Sequence, residues 1–308
     1  MAKVLSLLEI LMPILVCMGL GMLARKKALL TREQTKGIQQ FVLKFCVPCV
    51  LFNSCLQSQL GAQSLTTMAM LLPVLLLSSL WAFHARKKRL RYHNLPMLFA
   101  AHETGMLGLP LCMILFGTAE AYRMGILDMT QGLISIPVMV ILSADTGKSA
   151  HIGHIIKRIV LSPMLIMSVL GFALGLSGAA DWLDSIGVGP IITGTTSFLA
   201  QPISAAILFT IGYDFSLRGE NKGQVLKISG ICLAFSAAAC LVMQLVLRFV
   251  PGVDNMTRWV VLLYCALPAS FLAPGLAKTH EEGVIASSVC SLLTVVTLIV
   301  FCLIAVFS

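Results

Sequence analysis

Residues 101–110 read AHETGMLGLP and lie inside an apolar run that extends from 96 to 117. Pro110 has no backbone N–H, and its ring crowds the carbonyl group of Met106 four residues earlier. Gly105 and Gly108 weaken the same turns, because glycine is a poor helix former. The stretch therefore predicts a helix that unwinds part-way along its length.

A second stretch of the same kind, ALPASFLAPG, follows at residues 266–275. Unwound backbone at membrane depth is tolerated only beside protein or a water-filled cavity, and two interrupted spans in matching positions are typical of a transport site. If the two stretches cross, N–H groups of their half-helices face a common centre that would attract an anion such as a carboxylate. The alternative is a pair of structural kinks with no ligand.

The composition around these stretches indicates a membrane protein. Hydrophobic residues form 58% of the 308-residue chain and charged residues 11%, and the mean hydropathy is +0.94. So few charges could not cover the surface of a soluble protein, whereas lipid solvates apolar side chains. Because a span needs about 20 apolar residues, the sequence predicts an all-α membrane protein with ten spans, at 4–24, 37–57, 65–85, 96–117, 122–143, 159–177, 190–213, 225–249, 257–277 and 284–307.

The net charge of +9 comes mainly from loops on one side of these spans. Seventeen of the 22 Lys and Arg residues fall in the loops after spans 1, 3, 5, 7 and 9, and four fall on the other side. The positive-inside rule then makes the odd-numbered loops cytoplasmic and predicts both termini outside the cytoplasm, in a cell (inner) membrane. Topology alone explains the basic run at 86–91, and binding of anionic lipid or nucleic acid is the alternative. For the protein as a whole we expect the lipid bilayer, and no nucleic acid, as a partner.

The two halves of the chain resemble each other. Pro13 and Pro163 are 150 residues apart, and Pro48 and Pro202 are 154 apart. Similar residues follow the matched prolines: Gly19 and Gly21, Gly171 and Gly175, and then Phe52 and Phe209. The alternative explanation is that Pro and Gly are frequent in membrane helices generally.

Five spans per half is an odd number, so the second half would enter the membrane from the opposite side. The sequence thus predicts a 5+5 inverted repeat, with halves at 1–143 and 159–308 joined by a cytoplasmic linker at 144–158. Two copies of one fold in opposite orientations can exchange conformations, which gives alternating access.

Glu103, beside His102, is the most polar feature at membrane depth. A carboxyl group there is costly and usually functional, so Glu103 is the first candidate to bind a coupling ion, H⁺ or Na⁺. The alternative is a structural Glu paired with a neighbouring helix. His102 is a further ion-coupling candidate, and so is Asp128, with Gln131 near it. We expect no metal site, no catalytic residues and no cofactor.

Asn53 and Gln201 lie close to Pro48 and Pro202. Either they line the substrate cavity, or they satisfy backbone groups that the prolines leave free. The residues alone leave both possibilities open.

The sequence resembles the auxin efflux carrier family, which includes plant auxin exporters and bacterial permeases for malate and malonate. The marks run over nearly the whole chain in order: Pro13 with Gly19 and Gly21, then FCVPCVLF at 45–52, GMLGLPL at 105–111 and ALPA at 266–269. The resemblance implies a fold like that of bile-acid and sodium–proton carriers. Spans 1, 2, 6 and 7 would form a scaffold, spans 3–5 and 8–10 a mobile transport domain, and spans 4 and 9 would cross.

The resemblance also implies that residues at the two breaks contact the substrate. By position these are Glu103, Thr104, Gly105, Pro268, Ala269 and Ser270. It further implies a homodimer through the scaffold. Gly171 and Gly175 form a small-xxx-small pattern that would allow close helix packing, within or between chains.

The stretch 102–104 departs from the family pattern, in which the first crossover often carries Asn. A fixed Glu103 charge would repel an anion unless the carboxyl were protonated. Two substrate classes therefore stay open: a small organic acid (a mono- or dicarboxylate), moved with an ion by an elevator mechanism, or a neutral or zwitterionic solute. The short loop between spans 5 and 6 makes a bacterial permease the better comparison.

The other functions to consider are an intramembrane protease, a channel and a receptor. Gly175-Leu176-Ser177-Gly178 matches a motif of intramembrane serine proteases, and His102-Glu103 begins an H-E-x-x-H zinc motif that Met106 interrupts. A nucleophilic Ser177 would need an adjacent base, and His102 is poorly placed to serve. A channel would need rings of selective groups, and a receptor would bind a solute without moving it.

Overall fold

The computed structural model describes residues 2–57, 62–87, 95–143, 157, 160–215, 222–250, 253–277 and 279–307. These residues are almost entirely helical. Within them, extended backbone pairs at a single isolated bridge, which joins the two interrupted spans.

The helices follow the predicted spans closely. Those of the first half are α1 (Ala2–Lys26), α2 (Arg32–Gln57, with a π-helical turn at Val42–Cys46), α3 (Ala62–Lys87), α4 (Thr104–Phe116) and α5 (Ala121–Ser143). Those of the second half are α6 (Pro163–Leu176), α7 (Ala179–Ser185), α8 (Gly189–Asp214), α9 (Lys222–Phe249), α10 (Asn255–Ala266), α11 (Leu272–Gly275) and α12 (His280–Phe307). Short 3₁₀ turns at Leu95–Phe99 and Thr118–Glu120 precede α4 and α5.

Several of these helices can cross a membrane. In the described part of the chain, α2, α3, α8, α9 and α12 are long and apolar enough, and α6 with α7 forms a sixth candidate that is bent by 78°. The prediction of an all-helical, multi-pass membrane protein is confirmed. The count of ten spans stays a prediction. The linker at 144–158 lies, except for residue 157, outside the described residues.

Most helix ends differ from the predicted bounds by a few residues, and two of these differences have a visible cause. The second span was predicted from residue 37, but α2 begins at Arg32, where Thr31 and Gln34 cap it reciprocally at 3.2 and 2.8 Å. The sixth span was predicted to 177, but α6 ends at Leu176, and Gly178 at φ +72° turns the chain into α7.

The contact between α1 and α8 depends on glycine. A Cβ added to Gly21 would lie 2.0 Å from the carbonyl oxygen of Phe209, and one added to Gly212 would lie 2.1 Å from that of Met18. The two backbones therefore touch, which residues with side chains would prevent.

The contact between α2 and α6 is built in the same way. A Cβ on Gly171 would lie 2.5 Å from the carbonyl oxygen of Phe52, and one on Gly175 would lie 2.6 Å from that of Leu56. The small-xxx-small pattern of α6 is thus used inside the chain. Gly21 touches Phe209 and Gly171 touches Phe52, so residues matched between the halves make matched contacts.

An ion cluster joins the first turn of α5 to the start of α10. Arg123 donates to both carboxylate oxygens of Asp254, at 3.1 and 2.8 Å, to Glu120 at 2.5 Å and to the Thr257 hydroxyl. Partial burial alone would raise the pKa of the Asp254 carboxyl, but hydrogen bonds from Thr257 and the Arg123 charge outweigh it and hold this pKa below its usual value. Asp254 therefore stays ionised at neutral pH and anchors α10 to α5.

We expect Gly21→Ala and Gly171→Ala to lower the thermal unfolding temperature of the protein in detergent. The added methyl group meets backbone atoms, so the helices must move apart, and such overpacking costs about 1–3 kcal/mol. Gly19→Ala is the matched control, because a Cβ there meets nothing within 4 Å. Equal unfolding temperatures for the Gly19 and Gly21 variants would contradict the close contact of α1 with α8.

Candidate functional site

The two interrupted spans meet at their breaks. His102 and Ala269 form the antiparallel bridge. The Glu103 N–H donates to the Pro268 carbonyl at 2.8 Å, and the Ser270 N–H donates to the Ala101 carbonyl at 3.0 Å. Each break thus supplies hydrogen-bond partners that the other lacks, because the backbone is not helical at these residues.

Side chains of neighbouring helices satisfy further backbone groups of the breaks. Gln131 of α5 accepts from the His102 N–H at 2.9 Å and donates to the His102 carbonyl at 2.8 Å. The Thr297 hydroxyl of α12 donates to the Ala266 carbonyl at 2.6 Å. The His102 ring lies 3.1 Å through Nδ1 from the Leu267 carbonyl, so Nδ1 must carry the hydrogen.

The Glu103 carboxylate lies between the two breaks and is only 7% exposed. One oxygen accepts from the Phe271 N–H at 2.6 Å and from the Ser270 hydroxyl at 3.4 Å. The other accepts from the Met106 N–H at 3.3 Å, as an N-cap of α4. A single side chain therefore holds donors from both interrupted spans.

Asp128 of α5 is the second carboxyl at the crossing. It accepts a hydrogen bond from the Thr104 hydroxyl, and a Cβ on Gly105 would lie 3.8 Å from its Oδ1 atom. Among the described residues, no hydrogen bond or ion pair joins a Lys or Arg to Glu103 or Asp128. The crossing thus holds two acidic groups without a basic partner.

Tyr264 of α10 completes this network. Its hydroxyl donates to the Gln131 Oε1 atom at 2.7 Å, and its ring contacts the His102 ring edge-on at 5.0 Å. Tyr264 was not among the predicted site residues. The signal was available, because a phenol inside a membrane span needs a polar partner, but the sequence did not show where that partner lies.

A cavity of about 250 Å³ opens between α2, α8 and the far end of α4. Asn53 and Gln201 line it, and Asn53 donates to the Ser197 hydroxyl at 3.4 Å. On the α4 side the cavity reaches Met113, ten residues beyond Glu103 and about 15 Å along a helix. Its lining holds amides, hydroxyls and apolar groups, and none of the lining residues is charged.

The predicted site residues therefore fall into two places. The crossing brings together the residues of the two breaks and the ion-coupling candidates: His102, Glu103, Thr104, Gly105, Asp128, Pro268, Ala269 and Ser270. Asn53 and Gln201 meet each other at the cavity and do not touch the crossing. For Asn53, the recorded side-chain bonds go to Ser197 and Gln57 rather than to freed backbone.

The residues of the protease hypothesis do not come together. The Ser177 hydroxyl donates to the Leu174 carbonyl at the exposed end of α6, while the His102 ring is bonded to Leu267. No group of three or more His, Cys, Asp or Glu side chains in the described part could hold a metal ion.

The chain matches a known protein family over nearly its whole length. Residues 6–308 match a family described as membrane transport protein. The matched region includes every motif on which the resemblance to auxin efflux carriers rests, from Pro13 to the ALPA stretch at 266–269. No match to a curated protein was found.

We expect Gln131→Leu to destabilise the protein more than Tyr264→Phe does. The first change leaves the N–H and carbonyl of His102 and the Tyr264 hydroxyl without their partner, and each buried unpaired group costs about 1–3 kcal/mol. The second removes one hydrogen bond, worth about 1 kcal/mol, and leaves Gln131 bonded to His102. Thermal unfolding in detergent measures both, and the reverse order would contradict the role of Gln131.

Proposed function

The chain belongs to the membrane transport protein family of the auxin efflux carriers, and from this premise we propose that it is a secondary active transporter of a small organic acid, a mono- or dicarboxylate. It moves the acid across the cell membrane by elevator-type alternating access, coupled to H⁺ or Na⁺. It is a transporter rather than an enzyme.

One observation carries this proposal: the two interrupted spans meet and present backbone N–H groups and carboxyls at a common point. A pair of discontinuous helices in matching positions is where secondary transporters bind substrate and coupling ion. Glu103, Thr104, Gly105, Pro268, Ala269 and Ser270 are the proposed substrate contacts, and Glu103, His102 and Asp128 are the proposed ion-coupling groups.

Matched contacts support the inverted repeat and its division into two bodies. In the proposed scaffold (α1, α2, α6 and α8), Gly21 meets the Phe209 carbonyl as Gly171 meets the Phe52 carbonyl. In the proposed transport domain (α3–α5 and α9–α12), the two breaks bridge each other. Each interaction maps onto its counterpart when the halves are exchanged, as an inverted repeat requires.

The cavity lies where the two proposed bodies face each other, between α2 and α8 of the scaffold and α4 of the transport domain. We assign it as the vestibule that substrate passes on its way to the crossing, with Asn53 and Gln201 as polar contacts. Its lining residues carry no charge, and this favours the second candidate, a neutral or zwitterionic solute.

The proposed setting is the cell membrane, with both termini outside the cytoplasm because the loop cations would then face inward. A homodimer through the scaffold is part of the proposal and rests on the family resemblance.

In liposomes, the purified protein should take up labelled malonate or malate with saturable kinetics. Unlabelled acid inside the liposomes should accelerate uptake of the labelled acid, because a carrier exposes its site to one side at a time. Flux that does not saturate, with a measurable conductance, would instead identify a channel. Binding without any flux would identify a receptor.

Replacing Gln201 by Leu should raise the KM for transport, because it removes a hydrogen-bonding group from the vestibule. One neutral hydrogen bond is worth about 0.5–1.5 kcal/mol, so the expected rise is about two- to tenfold. Thr195→Val is the matched control, since Thr195 is on the same helix, bonds only its own backbone at Ile191 and does not line the cavity. Equal KM values for both variants would remove Gln201 from the substrate path.

A further inference from the structure

The crossing already contains a carboxylate, that of Glu103. Its donors are the N–H groups of Phe271 and Met106 and the hydroxyl of Ser270, at 2.6, 3.3 and 3.4 Å. These groups belong to two different interrupted spans. They converge on both oxygens of one carboxylate. The crossing is therefore a carboxylate-binding site, and the Glu103 side chain occupies it.

The three donors belong to residues other than Glu103, so they remain at the crossing when the Glu103 side chain moves away. Two are backbone N–H groups. The Ser270 side chain is fixed by a further hydrogen bond, because its oxygen accepts from the Leu272 N–H at 3.3 Å. Without the Glu103 carboxylate, these donors would lose their partner inside the protein, which is destabilising. A free carboxylate offers the same two acceptor oxygens.

We propose that Glu103 is an intramolecular competitor of the transported acid: a carboxylate substrate binds at Phe271, Met106 and Ser270 only when Glu103 has taken up a proton and released them. The inference rests on the proposed function and names the coupling ion as H⁺. One proton and one carboxylate enter together, the Glu103 carboxylate becomes the neutral acid, and no other bond is made or broken. Binding therefore adds no net charge to the crossing for a monocarboxylate.

The surroundings of Glu103 oppose binding of a second anion beside an ionised Glu103. Asp128 faces it from α5 and Cys290 from α12, while His102 precedes it in the chain. Tyr264 of α10 is bonded to Gln131 and packs on the His102 ring. Each of these groups is either acidic or, for His102, held by a carbonyl acceptor. In the described part of the protein, no cation pairs with Glu103 to offset a second negative charge. Protonation of Glu103 removes this repulsion and frees the donors in one step.

The test uses formate as the probe and the full-length purified protein in detergent. The stabilisation of the protein by sodium formate is measured by thermal unfolding between about pH 5.5 and 8, where formate stays ionised. Sodium chloride at the same ionic strength is the control for salt. The variants are Glu103→Ala, which removes the competitor, and Asp128→Asn, which removes the other carboxyl. Asp181→Asn, on the exposed surface of α7, is the fold control.

In the unmodified protein, formate affinity should fall about tenfold for each pH unit over which Glu103 is ionised, because one proton binds with each anion. Asp181→Asn should keep this slope. Asp128→Asn separates the two carboxyls of the crossing: the slope persists in this variant if Glu103 is the group that takes up the proton. Glu103→Ala should unfold at a lower temperature without formate, and formate should restore it in a saturable way that does not depend on pH.

Formate binding by the unmodified protein that is independent of pH would overturn the proposal. So would a Glu103→Ala variant that responds to formate no more than to chloride. If Glu103→Ala does not fold, the pH dependence of formate affinity in the unmodified protein and in Asp128→Asn decides. Loss of this pH dependence in Asp128→Asn would assign the proton to Asp128 and overturn the proposal. These measurements involve no transport, so they are independent of the liposome experiment. If the formate results are as expected but liposomes show no malonate or malate flux, the proposed transport function is rejected, while the role of Glu103 as a competitor stands.

Discussion

The structure depends on one constraint: backbone N–H and carbonyl groups inside a membrane must find partners within the protein. Pro268 removes a helical hydrogen bond in one span, and the other span is not helical between residue 100 and the start of α4 at Thr104. An isolated break of this kind would be unstable in lipid. The two breaks solve the problem jointly, because Glu103 pairs with Pro268 and Ser270 pairs with Ala101. Neither span can therefore become a continuous helix unless the other loses its partners, so the two halves of the chain depend on each other at this point.

Because of the same constraint, the helices around the breaks pack differently from α1, α2, α6 and α8. Around the breaks, Gln131 of α5 and Thr297 of α12 bond the freed backbone, and Tyr264 of α10 bonds Gln131, which fixes these helices to one another through directional contacts. Between α1 and α8, and between α2 and α6, glycines allow direct backbone contact and little polar bonding is required. Where the two groups of helices meet, Leu51 packs on Gly125, and Ser54 bonds the Ala119 carbonyl and the Tyr122 N–H at 2.8 Å. A sliding motion between the groups would have to break the bonds of Ser54, whereas the apolar contact can shift.

Much of this arrangement could be predicted from sequence because its causes are local. Clusters of proline and glycine weaken a helix locally, so the breaks near Gly105 and Pro268 were readable, although the single prolines Pro13, Pro73 and Pro137 lie inside continuous helices. The small-xxx-small pattern of Gly171 and Gly175 indicated close packing. The parts that could not be predicted depend on distance in space. Asn53 and Gln201 stand beside matched prolines, yet they line a cavity away from the crossing. Tyr264 and the Phe271 N–H reach Gln131 and Glu103 only after the spans have crossed, and no spacing in the sequence encodes that approach. The start of α2 was different: its capping residues, Thr31 and Gln34, are visible in the sequence.

The first crossover carries Glu103 in a stretch where the family that the sequence resembles often has Asn, and a carboxylate bonds differently from an amide. An amide has one oxygen that accepts and one nitrogen that donates, so it can satisfy N–H groups of one break while its nitrogen seeks an acceptor elsewhere. A carboxylate accepts through both oxygens, and Glu103 uses one for Met106 and the other for Phe271 and Ser270. The gain is a tighter junction between the interrupted spans. The consequence is a resident negative charge in the place where the family resemblance locates an anionic substrate, and Asp128 adds a second acid beside it. The resident charge is the reason why we propose that an anion binds there together with a proton, and why a solute with no net negative charge is the second candidate.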